Sequence, residues 1–276
     1  MSSKPSRILE FAKVHSAGND FVIFEAVQAE GLDLPALAQR LCRRKVGVGS
    51  DGMLLYAFLD GGRIDFRFFN PDGSEAEICG NGVISLATLL NADHGIAGRR
   101  LALQTKAGVK YLVVKQGKVL VNLGQPSFTN PGVQPPREFQ NYPVAMPEAE
   151  RRLNYVNVGN PHASIFVDDL DFIDLVREGR LVERLPIFPD RVNVEFVQVM
   201  DKNNLIARFW ERGAGYTLAS GSGASAAAVI SIAHRFCESP VTVHTEVGRL
   251  EVFWKHGSCI VLKGEGVIVY RGRVEL

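Results

Sequence analysis

Residues 67–82, RFFNPDGSEAEICGNG, recur in altered form as residues 208–223, RFWERGAGYTLASGSG. The two stretches lie 141 positions apart, and this offset places Cys79 of the first on Ser220 of the second. Each stretch ends in a glycine-rich loop, CGNG or SGSG, and an apolar run follows each loop. We interpret the repeat as a duplicated fold in which two related loops reach one substrate from opposite faces.

The same offset recurs near the start of the chain and supports the duplication. It aligns Gly18-Asn19 with Gly159-Asn160, while the apolar runs after the loops cover 83–92 and 224–237. Both runs are apolar on nearly all sides, as in a helix buried inside its domain, and strand-like segments surround them. We therefore predict an α/β (α+β) fold of two pseudo-symmetric domains, each a curved, mainly antiparallel sheet around a central apolar helix.

Three further segments bear on the organisation of the chain. Residues 34–44 and 172–185 have the one-sided apolar stripe that is typical of surface helices. The Pro-rich stretch 125–147 is the best candidate for a linker, and it separates the two copies of the repeat.

Composition limits the classes of partner. The chain has 276 residues, 46% of them hydrophobic, and a net charge of +1, which suits a sizeable core and argues against a nucleic-acid or membrane surface. We recognise neither a signal peptide nor an apolar stretch of about 18 residues. The four cysteines lack CxxC spacing, which argues against a zinc site or a redox pair. We expect a cytoplasmic protein that uses no metal and binds a small molecule, with Cys42 and Cys237 in the core and Cys259 in a structural role.

The position of the two loops indicates their chemistry. A helix start exposes backbone N–H groups and a partial positive charge, and glycines let an anion approach closely. Each loop could thus hold a carboxylate, with Cys79 or Ser220 beside the adjoining α-carbon, and the same field lowers the pKa of a thiol from about 8.5. This arrangement suits removal of a proton next to a carboxylate. Neither loop has the Walker A or complete GxGxxG pattern of nucleotide sites, and EICGNG lacks the signatures of cysteine proteases.

Longer motifs make the chain similar to the diaminopimelate epimerase family and, more distantly, to other cofactor-independent racemases such as proline racemase. The motifs are KVHSAGNDFV at 13–22, GVGSDG at 47–52, FNPDGSEAEICGNG at 69–82, VGNPHASIFV at 158–167, RVNVEF at 191–196 and FWERGAGYTLASGSGAS at 209–225. The resemblance implies an isomerase that uses two bases and no cofactor. One base removes the α-proton from one face of an amino acid, and an acid returns a proton to the other face.

The resemblance also implies roles for individual residues. Cys79 and Ser220 occupy the positions of the two bases, His162 would pair with Cys79, and Glu211 would serve Ser220. Arg212 would bind a distal carboxylate through two parallel hydrogen bonds. The remaining substrate-binding residues would be Asn19, Asn70, Gly80, Asn81, Asn160, Asn193, Gly221 and Ser222.

Each of these residues has a structural alternative. His162 could satisfy a buried turn, and Glu211 with Arg212 could be an ordinary surface pair. Asn19, Asn70 and Asn193 could be turn residues, a common use of asparagine beside glycine, proline or aspartate.

The departures from the family pattern lie mostly around the second base. Ser220 and Ser225 stand where cysteines are expected, and Tyr216 stands where glutamate is usual. On the first loop, Val83-Ile84-Ser85 replaces Ala-Arg-Cys. A serine hydroxyl is a far weaker acid than a thiol and needs strong activation to act as a base, although it can deliver a proton without prior ionisation.

Three functions remain open from the sequence. The first is epimerisation of LL- to meso-diaminopimelate, which we favour because Asn70, Asn193 and Arg212 are all present. The second is a racemase or dehydratase reaction on another amino acid with one competent base. The third is amino-acid binding without catalysis. The resemblance further implies a homodimer and a C-terminal strand that returns to the first half, so that residues 1–124 with 268–276 form one domain and 125–267 the other.

Overall fold

The computed structural model describes residues 7–133, 137–146 and 150–276. These residues form two compact units. Unit 1 contains the described residues up to 16 together with 20–119 and 265–276, and unit 2 contains 17–19 and 120–264. Residues 1–6, at the N-terminus where we recognised no signal peptide, lie outside the described residues. No helix within the described ranges is both long and apolar enough to cross a membrane.

Strands dominate both units. In chain order they are β1 (Ile8–Ser16), β2 (Asn19–Glu25), β3 (Gly52–Phe58), β4 (Arg63–Phe69), β5 (Glu75–Ala76), β6 (Arg100–Thr105), β7 (Gly108–Lys115), β8 (Lys118–Gly124), β9 (Thr129–Asn130), β10 (Arg137–Glu138), β11 (Tyr142–Ala145), β12 (Glu150–Asn157), β13 (Pro161–Phe166), β14 (Asn193–Val199), β15 (Asn204–Glu211), β16 (Gly215–Thr217), β17 (Val241–His244), β18 (Arg249–Phe253), β19 (Ile260–Gly264) and β20 (Gly266–Glu275). The α-helices are α1 (Leu34–Cys42), α2 (Gly80–His94), α3 (Leu175–Glu183) and α4 (Gly221–Ala233), and short 3-10 helices cover Ala26–Ala29, Asp60–Gly62 and Leu170–Phe172. The predicted mixed α/β fold is confirmed.

The duplication found in the sequence extends to strand register. Met53 pairs with Phe69 between β3 and β4, and the residues 141 positions later, Val194 and Trp210, pair between β14 and β15. Helices α1 and α3 begin and end at the same offset. Because side chains alternate across a strand, equal register places equivalent residues on equivalent faces in the two units.

Helix α2 forms the centre of unit 1. It packs against β1, β7 and β20, and most of its side chains are buried, as its uniformly apolar sequence predicted. It begins at Gly80 rather than at residue 83, so the glycine-rich loop supplies the first helical turn. The C-terminal strand β20 runs antiparallel to β1, from Ile8 opposite Glu275 to Ser16 opposite Gly266.

Helix α4 has the same place in unit 2, where strands β12 to β15 and β17 to β19 surround it. It ends at Ala233, earlier than the predicted end at residue 237. Cys237, beyond the helix, is buried, and so is Cys42 of unit 1, as predicted. Cys259 is exposed, so a role in the core, the usual structural use of a free cysteine, does not apply to it.

The predicted linker at 125–147 is wrong for most of its length. Its described part contains β9, β10 and β11, and Phe139 within it is buried against Phe188, with ring centroids 6.1 Å apart. The proline content suggested an open connection, but Phe139 and Val144 of this segment pack into the core of unit 2. Residues 134–136 and 147 lie outside the described residues.

Candidate active site

The first loop makes Cys79 the N-cap of α2. Its backbone is extended, with φ −132° and ψ 112°, and its Sγ accepts a hydrogen bond from the Gly82 N–H at 3.3 Å. A Cβ at Gly82 would lie 3.2 Å from Cys79 Cβ and 3.3 Å from Leu54 Cδ1, which leaves little room for a side chain. The thiol therefore sits at the positive end of a 15-residue helix.

The second loop repeats this geometry with a hydroxyl. Ser220 caps α4 with φ −141° and ψ 125°, and its Oγ accepts from the Gly223 N–H at 3.1 Å. Ser222 Oγ lies 3.5 Å from Ser220 Oγ. Serine is among the preferred N-cap residues, so a serine at position 220 preserves the local fold while it changes the chemistry.

Two further serines, at positions where the family pattern has cysteines, behave differently. Ser225 Oγ donates to the Gly221 carbonyl at 2.8 Å, within the first turns of α4. Ser85 Oγ is buried in α2 and has no hydrogen-bond partner among the described residues. A buried hydroxyl without a partner is unfavourable, so Ser85 weakens unit 1 locally.

His162 lies in a buried polar cluster of unit 2. Its Nδ1 contacts Glu195 Oε1, and both side chains are only 1% exposed. The second oxygen of Glu195 accepts from Ser164 Oγ at 3.1 Å. The other ring nitrogen, Nε2, lies 3.0 Å from Asn160 Oδ1, and Asn160 Nδ2 lies 3.4 Å from Ser222 Oγ. The cluster thus connects a buried carboxylate to the loop that carries Ser220.

Asn160 and Asn19 each follow a position whose backbone angles only glycine adopts readily. Gly159 has φ +117°, and Gly18 has φ +84° with Val247 Cγ2 only 2.0 Å from the position of an added Cβ. Asn19 is buried at the start of β2. Side chains strongly disfavour these backbone angles, so each glycine fixes the entry of its asparagine into the following strand.

The residues assigned to the distal end of a substrate form local hydrogen bonds. Asn193 Oδ1 accepts from the Arg212 N–H at 2.9 Å, and Asn193 Nδ2 donates to the Pro161 carbonyl at 2.9 Å. Arg212 Nη1 donates to the Asp190 carbonyl at 3.1 Å. Asn193 thereby joins the backbone of Arg212 to the start of β13.

Asn70 and Glu211 each close a turn. The Asn70 N–H donates to the Ser74 carbonyl at 2.8 Å, and Asn70 Nδ2 donates to Ser74 Oγ at 2.9 Å. Glu211, at the end of β15, accepts from Thr217 Oγ1 at 3.1 Å. The pairing of Glu211 with Ser220, like that of His162 with Cys79, stays a prediction.

Sequence reasoning missed Glu195 and Glu246. Glu195 is the one acidic residue in the apolar strand NVEFVQV, and a charge at a buried strand position is a recognisable signal of a functional or paired group. Glu246 carries no such signal, because it lies in a polar stretch between β17 and β18.

The sequence profile described as diaminopimelate epimerase matches residues 11–129 and 154–274. The chain belongs to the diaminopimelate epimerase family. The diaminopimelate epimerase of Caldanaerobacter subterraneus subsp. tengcongensis is 40% identical over 276 residues, which cover 97% of this chain and 100% of that protein. That of Pelotomaculum thermopropionicum is 38% identical over 276 residues, or 96% and 98% of the two chains.

Solved structures support the fold of this diaminopimelate epimerase family member. A hydroxyproline epimerase from Agrobacterium vitis, crystallised with bound trans-4-OH-L-proline, superposes with a TM-score of 0.75 at 16% identity and covers 99% of this chain and 93% of its own. At that identity the likeness concerns the fold alone. The family and the enzyme class inferred from the motifs, an isomerase, are confirmed. Family membership does not favour a dehydratase or a binding protein.

Proposed function

We propose that this protein is an amino-acid epimerase that needs no cofactor and interconverts LL- and meso-diaminopimelate. The observation that carries the proposal is the equivalence of Cys79 and Ser220. Each side chain caps the buried helix of its unit, and each accepts a hydrogen bond from the backbone N–H three residues later. In a chain of this family, both base positions therefore keep a group that can transfer a proton.

Cys79 is the stronger base of the two. The partial positive charge at the start of α2 stabilises a thiolate and attracts the substrate carboxylate to the same N–H groups. The thiolate removes the α-proton, and the Ser220 hydroxyl supplies a proton to the opposite face of the carbanion. His162 assists at Cys79 and Glu211 at Ser220.

The substrate is held at both ends in this proposal. The amides around Gly80, Asn81, Gly221 and Ser222 bind the reacting carboxylate, with Asn19 and Asn160 beside them. Asn70, Asn193 and Arg212 bind the distal amino-acid end, where a guanidinium matches a carboxylate in two parallel hydrogen bonds. We further propose a cytoplasmic location, in line with the lack of CxxC spacing among the four cysteines, and a homodimer, in line with the family resemblance.

A serine at position 220 has a defined kinetic consequence. After one inversion, Cys79 is a thiol and Ser220 an alkoxide, and this state is high in free energy because an alcohol is a far weaker acid than a thiol. Inversion is slowed in both directions, since one transition state serves the forward and the reverse reaction. Exchange of the α-proton on the Cys79 face avoids the alkoxide, and we expect it to outpace inversion.

The test is proton exchange in D2O. LL- or meso-diaminopimelate incubated with the protein should gain deuterium at the α-carbon, as read by mass spectrometry and NMR. Cys79→Ala should abolish the exchange, whereas Cys259→Ala, at an exposed cysteine, should leave it unchanged. Absence of exchange and elimination across diacid, basic and cyclic amino acids, together with calorimetric binding of one of them, would instead identify a binding protein. Elimination of a β-substituent would identify a dehydratase.

A further inference from the structure

The contacts of the buried pair Glu195 and His162 indicate which of their atoms donate and which accept hydrogen bonds. Glu195 Oε1 contacts Nδ1 of the imidazole, while Oε2 accepts from Ser164 Oγ at 3.1 Å. The imidazole and the Ser164 hydroxyl therefore occupy both oxygens of the carboxyl group. On the opposite side of the ring, Nε2 lies 3.0 Å from an amide oxygen, Asn160 Oδ1. Both ring nitrogens therefore face oxygen acceptors, and both donate when the ring is an imidazolium.

The hydrogen bonds beyond His162 all donate toward Ser220. Asn160 accepts from His162 through Oδ1, so its amide nitrogen is turned toward Ser222 Oγ, 3.4 Å away. Ser222 Oγ accepts that hydrogen and is left with its own hydrogen to donate to Ser220 Oγ, 3.5 Å away. These last two contacts are long, as is common for catalytic hydrogen bonds before substrate binds.

Ser220 Oγ then receives two donors, the Ser222 hydroxyl and the Gly223 N–H at 3.1 Å. Two donors stabilise an alkoxide more than an alcohol. A serine in this role must form an alkoxide, and it therefore needs such stabilisation. Glu195 also lies directly beneath the loop, because a Cβ on Gly223 would be 3.1 Å from its Oε1.

We propose that Glu195 is a positioning residue that holds His162 as an imidazolium, and that the chain His162, Asn160, Ser222 delivers this polarisation to the Ser220 hydroxyl. These hydrogen bonds allow the Ser220 hydroxyl to act as the second acid and base. A thiol at this position would not need them. This inference rests on the proposed function, since it assigns Ser220 a proton-transfer role.

A double-mutant cycle tests the link between Glu195 and Ser220. Glu195→Gln keeps the shape of the side chain and removes its charge, and it should lower the inversion rate by about 100-fold, within the range for a positioned acid or base. In the Ser220→Cys background the same change should cost at least about tenfold less, because a thiol at position 220 does not depend on the hydrogen bonds from His162, Asn160 and Ser222. Ser222→Ala should show the same contrast between the two backgrounds. Exchange catalysed by Cys79 reports separately on the proposed assistance of His162 at Cys79, and any loss of exchange should be equal in the two Ser220 backgrounds.

A matched control and a spectroscopic readout complete the test. Ser231→Ala removes a buried hydroxyl of the same helix, one that donates to the Ala227 carbonyl at 2.7 Å, and should change inversion by no more than about twofold in either background. The ¹⁵N signals of the His162 ring should report two protonated nitrogens in the unmodified protein and one in Glu195→Gln.

Equal losses in the two backgrounds, or an unprotonated Nε2 in the unmodified protein, would overturn the inference. Should Glu195→Gln not fold, the Ser222→Ala cycle decides the same question. A protein that neither exchanges nor inverts any substrate would refute the proposed function. In that case the ring signals still decide the state of His162 separately.

Discussion

The Tyr216 hydroxyl donates a hydrogen bond to the carboxylate of Glu246, which also forms an ion pair with Arg208 at 2.9 Å. In unit 1 the equivalent arginine, Arg67, pairs at 2.7 Å with Glu75. Glu75 is the repeat counterpart of Tyr216, since each occupies the same register position on the short strand beside it. Desolvation and the contact with Glu246 raise the pKa of Tyr216 to about 12, so the phenol remains a donor.

This relationship predicts a charge-dependent effect on stability. Tyr216→Glu would place two carboxylates beside one arginine. We expect this to lower the free energy of unfolding by about 0.5–1 kcal/mol at low salt. Tyr216→Glu combined with Glu246→Gln recreates the single glutamate of unit 1 and should recover most of that loss. Chemical denaturation at low and high salt measures both. A loss that salt leaves unchanged would mean that packing of the ring, and not charge, stabilises this corner.

The two glycine-rich loops should differ in their tolerance of a methyl group. A Cβ at Gly223 would lie 2.7 Å from the Phe209 ring, whereas one at Gly82 would have its nearest contact at 3.2 Å. Overpacking of this kind typically costs about 1–3 kcal/mol, and we expect Gly223→Ala to be near the upper end and Gly82→Ala near the lower. Thermal unfolding of both variants measures the difference, and equal midpoints would contradict it.

Substitution by alanine should stabilise the protein at Ser85 but not at Ser231. Ser85 Oγ is buried and has no partner in the described part of the chain, so Ser85→Ala should stabilise the protein by about 1 kcal/mol. Ser231 Oγ donates to the Ala227 carbonyl at 2.7 Å, so its removal should be neutral or should destabilise by about 1 kcal/mol. Denaturant midpoints of the two variants give the comparison. Destabilisation by Ser85→Ala would indicate a hydrogen bond to ordered water.

Asp20 should make stability depend on pH in the acid range. Burial opposes its ionisation, but hydrogen bonds from Arg44 and Lys13 outweigh burial and lower its pKa below the ordinary 3.8. A carboxyl group whose pKa is lower in the folded state stabilises fully above the unfolded value and loses that contribution as the pH falls through the folded one. Asp20→Asn should therefore lower the free energy of unfolding most near neutral pH. The difference in unfolding free energy between the variant and the unmodified protein should shrink below about pH 4. Unfolding free energies between pH 7 and pH 3 test this, with Asp33→Asn, at an exposed helix cap, as the control.

Much of the fold was predictable because its signals are local. The two apolar helices and the strand segments follow from periodicity, and the glycine-rich loops before the helices follow from glycine placement. Helix ends were less accurate, since the first turn of α2 consists of Gly80, Asn81 and Gly82, residues that suggest a loop when read alone. The stretch 125–147 was misjudged because buried contacts of Phe139 outweigh the influence of the prolines around it.

The sequence by itself determined the duplication, the family and the pair of residues that we propose as the two bases. These depend on residue identity and spacing, which a linear pattern records. Only the tertiary structure decided which groups distant in sequence contact one another. Parallel pairing of β13 with β14 sets His162 opposite Asn193 and Ser164 opposite Glu195, and the alternation of side chains then brings Glu195 to the imidazole. Arg208 likewise pairs with Glu246 from another part of the chain. Such partners depend on strand register and burial, and for this reason the environment of Ser220 could not be read from its own loop.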